Sequence, residues 1–167
     1  MAGKQLKRFV RWRTRLPENT ATLVSLIIDE VVPIFELQEF QRFADYAGDS
    51  GYAVGAATIA LQRRSGPEWP TVEIHFGSRG DPYLGLSFAM LPETCFRFGP
   101  TENAELPRRE ANVAEGAMFF SLCKGERKNY DCNFGCASIF TQMLCNQKKI
   151  RSEIDKLKAL LPWLFNV

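Results

Sequence analysis

TVEIHFGSRGDPYLGLSFAML, residues 71–91, carries the clearest structural pattern in the chain. Val72, Ile74 and Phe76 alternate with Thr71, Glu73 and His75, the two-residue period of a strand with one apolar and one polar face. SRGDP then supplies turn chemistry through Gly80, Asp81 and Pro82, and YLGLSFAML resumes as a second apolar-rich run. With no helical segment between them, the two runs read as the arms of an antiparallel hairpin. Matching apolar to apolar sets Phe76 across from Leu84 and Ile74 across from Leu86. His75 then faces Gly85, and Glu73 faces Ser87.

YAVGAATIALQRR (52–64) reads as the preceding strand and adds Gln62 to the polar face. TCFRFG (94–99) and AMFFSLCKG (117–125) extend the sheet, and the polar run 100–115 reads as a long loop. Before the sheet, Leu23, Leu26, Ile27, Val31 and Ile34 fall on one face at helical spacing. Thr20 is the expected cap of that helix, and Pro33 is expected to kink or end it near Val32. The aromatic-rich segment that follows should close in a turn over 48–51. Two helices, 133–148 and 152–161, are expected to finish the chain. Ser152 with Asp155 caps the second, and Pro162 stops it. This order predicts an α+β fold: an antiparallel β-meander sheet with an N-terminal helix and C-terminal helices packed on one face.

The 167 residues suit a basic leader, 1–17, followed by a single domain, 18–167, and 13 Phe among 46% hydrophobic residues can build a core. The net charge of +2 hides an asymmetry. Lys4, Lys7, Arg8, Arg11, Arg13 and Arg15 stand in the leader with no acid. Of 21 basic residues, 15 remain to face 19 acids, so the body is near −4. Leu6, Phe9, Val10 and Leu16 share one side of the leader. It reads first as an amphipathic element docked on the body, and second as an arm for nucleic acid or an anionic surface, or as a targeting segment. Asp29 and Glu30 break the longest apolar run, so no transmembrane segment is expected. Five cysteines, an odd number, without a secretory signal or a glycosylation sequon predict a reducing, cytoplasmic setting.

The polar strand face is the first candidate site. His75 is the only histidine, so neutral-pH imidazole chemistry would run through it, with Glu73 two residues away and roughly 6.6 Å along the strand. That spacing lets both reach one ligand but suits a direct hydrogen bond between them less well. A solvated sheet face explains the same residues and is the preferred reading. The RGD triplet at 79–81 is explained by turn geometry. In LQRRSGPEWP (61–70), Arg63, Arg64 and Trp69 have the character of binding hot spots, while Trp69 could equally plug the core's end. No phosphate-loop, dinucleotide, zinc-helix or nucleophile-elbow motif occurs, and neither a metal nor a cofactor is expected.

Four cysteines crowd into CKGERKNYDCNFGCASIFTQMLC, residues 123–145. Cys132 and Cys136 have a spacing seen in zinc knuckles, but the flanking gaps do not fit. On a helix starting near Asn133, Cys136 shares an apolar face with Phe140, Met143 and Leu144, and Cys145 falls opposite, beside Ser138 and Thr141. Free thiols are therefore expected, with Cys136 a small buried hydrophobe. A Cys123–Cys132 or Cys123–Cys136 link ranks second and a metal third.

The layout of a leading helix, a meander and closing helices resembles small bacterial immunity or partner-binding proteins of toxin systems, by element order alone. The functional expectation is a non-catalytic protein-binding module using Gln62, Arg63, Arg64, Trp69, Glu73 and His75. The alternatives are a small enzyme with His75 as general base, Glu73 positioning and Ser87 donating a hydrogen bond, or nucleic-acid or anionic-surface binding by residues 1–17.

Overall fold

The hairpin forms with the register that apolar matching predicts: Phe76 pairs with Leu84, His75 with Gly85, Ile74 with Leu86 and Glu73 with Ser87. The computed structural model describes residues 2–47, 57–77, 81–92, 94–97, 104–107, 119–124 and 132–165. The helices are α1 (Ala2–Arg13), α2 (Glu18–Leu26), α3 (Val32–Glu36), α4 (Ile139–Met143) and α5 (Gln147–Phe165), and a π-helical turn (Ile27–Val31) joins α2 to α3. The first four strands are β1 (Gln41–Ala47), β2 (Ala57–Gln62), β3 (Glu68–Phe76) and β4 (Tyr83–Pro92). They are followed by β5 (Thr94–Arg97), β6 (Ala104–Pro107), β7 (Phe119–Ser121) and β8 (Asn133–Gly135).

Strands β1 to β4 make an antiparallel meander, and the far edge of β4 is shared by β7 at Ser87–Ala89 and β8 at Tyr83–Gly85. β5 and β6 pair separately. One sheet face carries Ile59, Leu61, Val72, Ile74, Leu84 and Leu86, all fully buried. It shares one core with Leu23, Val24 and Ile27 of the N-terminal helices and with Ile150, Leu157 and Leu161 of α5. Each such side chain contributes roughly 1.5–3 kcal/mol of burial. The fold is therefore α+β, with an antiparallel sheet and helices on one face. The leader belongs to it: Phe9 is buried, and Trp12 lies 5.6 Å from Phe76, centroid to centroid.

Several expectations are corrected. α2 starts at Glu18, with Pro17 and not Thr20 at its cap, and Thr20 is buried. The α-helical bonding is interrupted ahead of Pro33, earlier than expected: α2 ends at Leu26 and α3 begins at Val32. The Val32 N–H bonds to the Ile27 carbonyl, one residue wider than an α turn, and this wide turn brings the chain past the proline, which opens α3. β1 arises within the aromatic-rich segment, to which no element was assigned, and β6 within the expected loop. α5 runs from Gln147 through both Ser152 and Pro162. Asn146 caps it, accepting from the Lys149 N–H at 2.9 Å, and the turn beyond Pro162 is held by buried Leu164 and by Phe165 against Phe35. The turn at 48–51, residues 79 and 80 of the RGD triplet, and 108–118 of the sequence lie outside the described residues.

The cysteines are paired, Cys123 with Cys132 and Cys136 with Cys145, and are not free thiols. The helical phase that separated Cys136 from Cys145 does not apply, because residues 133–135 are a strand. Gly135 adopts φ +105°, which no right-handed helix contains, and a Cβ there would run into the Pro82 carbonyl, so the position takes only glycine. α4 begins only after Ser138, whose hydroxyl caps the Thr141 N–H at 3.1 Å. Met143 and Leu144, expected in the core, are 81% and 58% exposed.

Candidate functional site

Alternation along β2 and β3 puts Thr58, Ala60 and Gln62 beside His75, Glu73 and Thr71 on the face away from the helices. This face is not the solvated one expected. Thr58 and Thr71 are fully buried, and Glu73 and Gln62 are 4% and 5% exposed. Alternation reports which residues share a face, not whether that face meets water. Thr58 Oγ1 lies 3.2 Å from His75 Nδ1, and Glu73 Oε2 lies 3.4 Å from His75 Nε2, closer than the strand spacing suggested. Burial pushes the imidazole below its ordinary value of 6.5, so His75 is neutral near pH 7. A proton on Nε2 facing the carboxylate, with the Thr58 hydroxyl donating to Nδ1, satisfies both ring nitrogens. Ser87 is 3.5 Å from the Ser121 hydroxyl. Among the described residues, no group of three His, Cys, Asp or Glu is placed to hold a metal ion.

The opposite end of β2 borders a groove of about 750 Å³. Arg42, Arg63 and Arg64 line it together with Phe40, Gln41 and two acids, Glu36 and Glu39. Its shape begins at the end of α3. The Phe40 N–H returns to the Phe35 carbonyl and the Glu39 N–H to the Glu36 carbonyl, with Glu39 in the left-handed region at φ 64°. This is a Schellman ending, sealed by an edge-on contact of Phe35 with Phe40 at 5.6 Å. A register shift between Arg42 and Ala44 bulges β1 beside the groove. The Arg63 guanidinium lies over Phe40 at 5.0 Å and donates to the Gln38 carbonyl at 3.3 Å, while its Nε is buried without a hydrogen-bond partner. The Arg64 guanidinium lies 5.7 Å from the Trp69 ring, and Trp69 packs on Ala89 and Leu91.

The predicted site residues therefore separate. Gln62, Glu73, His75 and Ser87 share the polar face, with Gln62 and Glu73 buried and His75 and Ser87 half-buried, and Trp69 covers that face's apolar end. Arg63, two positions after Leu61 and so on the helix side, joins Arg64 at the groove. Sequence reasoning missed Glu36, Glu39, Phe40 and Arg42. Glu39 at a left-handed position carries no Gly or Asn signal, and the bulge leaves no trace in the local pattern. No family model matches the chain, and neither does any curated protein or solved structure, so the functional reading rests on this geometry.

Proposed function

We propose that the protein is a non-catalytic binding module that takes an acidic protein segment in the Arg42–Arg63–Arg64 groove. One observation carries this reading. The Arg63 guanidinium lies over Phe40 and is held by the Gln38 carbonyl at the wall of the groove, so its terminal N–H groups stand preorganised for a partner's carboxylate. Three guanidiniums against two carboxylates leave the groove net positive, and arginine beside an aromatic ring is typical of binding hot spots. Catalysis by His75 is the weaker reading. Both its nitrogens face protein groups, and Thr58, which contacts Nδ1, is fully buried.

No helix among the described residues is long and apolar enough to cross a membrane. Two disulfides favour an oxidising compartment over the cytoplasm expected from the cysteine count.

Selection of a displayed peptide library on the protein tests the groove. Acidic sequences should emerge, and Arg63→Gln and Arg64→Gln should each weaken a selected peptide roughly thirtyfold while the thermal transition is retained. Selected peptides with no acidic residues, or indifference to both substitutions, would sink the proposal.

A further inference from the structure

At the other end of the sheet, three separate segments meet. The Asn19 side chain donates to the Cys145 carbonyl at 3.2 Å, which joins the start of α2 to the junction of α4 and α5. The Cys136–Cys145 disulfide and the Cys136 N–H bond to the Pro82 carbonyl, at 2.8 Å, tie this junction to the β3–β4 hairpin. Trp12 on Phe76 brings the last turn of α1 to the same hairpin end.

This corner combines two features. Met143 and Leu144 are adjacent, exposed and apolar, although the disulfide beside them fixes the segment. Among the described residues, the other large exposed apolar side chains, Val10, Leu37 and Trp163, stand singly in the chain, whereas these two are adjacent. Exposed Lys148 and half-buried Lys149 follow them closely in the chain, and exposed Arg11, Arg13 and Arg15 flank Trp12, which brings the end of α1 to this corner through Phe76, a few residues before Asn19 reaches Cys145. Acids here are few: Glu18 is exposed and Asp81 half-buried, and none occurs from Ser138 to Ser152.

We infer that this end of the molecule docks on an anionic lipid surface, with Met143 and Leu144 entering the headgroup boundary and the surrounding arginines and lysines meeting lipid phosphates. An apolar pair beside clustered cations is the chemistry of interfacial attachment. A nucleic acid fits less well, because the aromatic residues of α1 face inward, Phe9 in the core and Trp12 on Phe76, and leave no ring for a base to stack on. Docked this way, the protein would hold the arginine groove at the far end of β2, away from the lipid.

Co-sedimentation with phosphatidylcholine vesicles, with and without a large fraction of phosphatidylglycerol, tests the inference on the full chain. Binding should require the anionic lipid and fall with added salt. Replacing Arg11, Arg13 and Arg15 together by Gln should weaken partitioning on the order of a hundredfold. The double variant Met143→Ser with Leu144→Ser, at positions the core does not use, should weaken it about tenfold or more with an unchanged thermal transition. Equal binding to neutral vesicles, or wild-type partitioning by either variant, overturns the inference. So does a DNA duplex that binds the parent and the Met143/Leu144 variant alike while displacing both from vesicles.

Discussion

Glu39 shows how a single residue can sit against its own preference. At φ 64° its Cβ crowds the backbone, at about 1–2 kcal/mol relative to glycine, and only the closure of Phe35 on Phe40 holds it there. Glu39→Gly should therefore raise stability by about 1 kcal/mol in urea unfolding. A neutral or destabilising result would mean that the carboxylate contributes as much as the backbone loses. If the groove uses that carboxylate, the same variant should change peptide affinity while gaining stability, a trade found where local strain serves binding.

Between elements, charge does what apolar packing alone does not. Glu153 of α5 is 6% exposed and receives Lys124, which follows β7, and Lys156, the latter at 2.6 Å. Burial by itself would raise this carboxyl, but the two ammonium hydrogen bonds outweigh it and hold it below 4.5. A carboxyl depressed on folding contributes stability that is present above its unfolded value and is lost as pH falls through its folded one. Glu153→Gln should thus cost roughly 1–2 kcal/mol near neutral pH, with the gap to the parent closing in acid. Denaturant titrations at several pH values read this directly, and a gap that stayed constant into acid would assign the loss to shape instead of charge. A second charge bridge, from Glu30 in the π-helical turn to Lys158 and Arg151, both at 2.9 Å, ties the N-terminal helices to α5. It is more exposed and correspondingly weaker.

For the whole molecule, the disulfides matter most. Each joins cysteines nine positions apart, and loop closure at that length is worth about 2.5 kcal/mol. Together they flank β8 on both sides and fasten it to β7 and to the α4–α5 junction. Reduction should lower global stability by about 5 kcal/mol, a large share of the 5–15 kcal/mol typical of a domain. Thiol titration of unfolded protein should rise by four groups per chain on reduction. A titration that does not change with reductant would remove both the pairing and the argument for an oxidising compartment.

The alternation of residues 71–91 was enough to set the central sheet, because pairing apolar with apolar across the short turn buries Phe76, Ile74, Leu84 and Leu86 on one face. The sequence by itself also determined that helices would cover that face, since their apolar stripes have nowhere else to go. Gly135 argues against a helix from 133, and without that helix no phase separates Cys136 from Cys145. Other features had no local signal. The left-handed Glu39, the bulge at Arg42 and the assembly of the arginine groove depend on Phe35, Phe40 and Arg63 meeting across 28 positions of chain. Only the tertiary structure could also show that the polar face is largely buried and that Met143 and Leu144 are exposed. Side-chain polarity constrains which faces differ, whereas exposure is set by which segments the folded chain brings together.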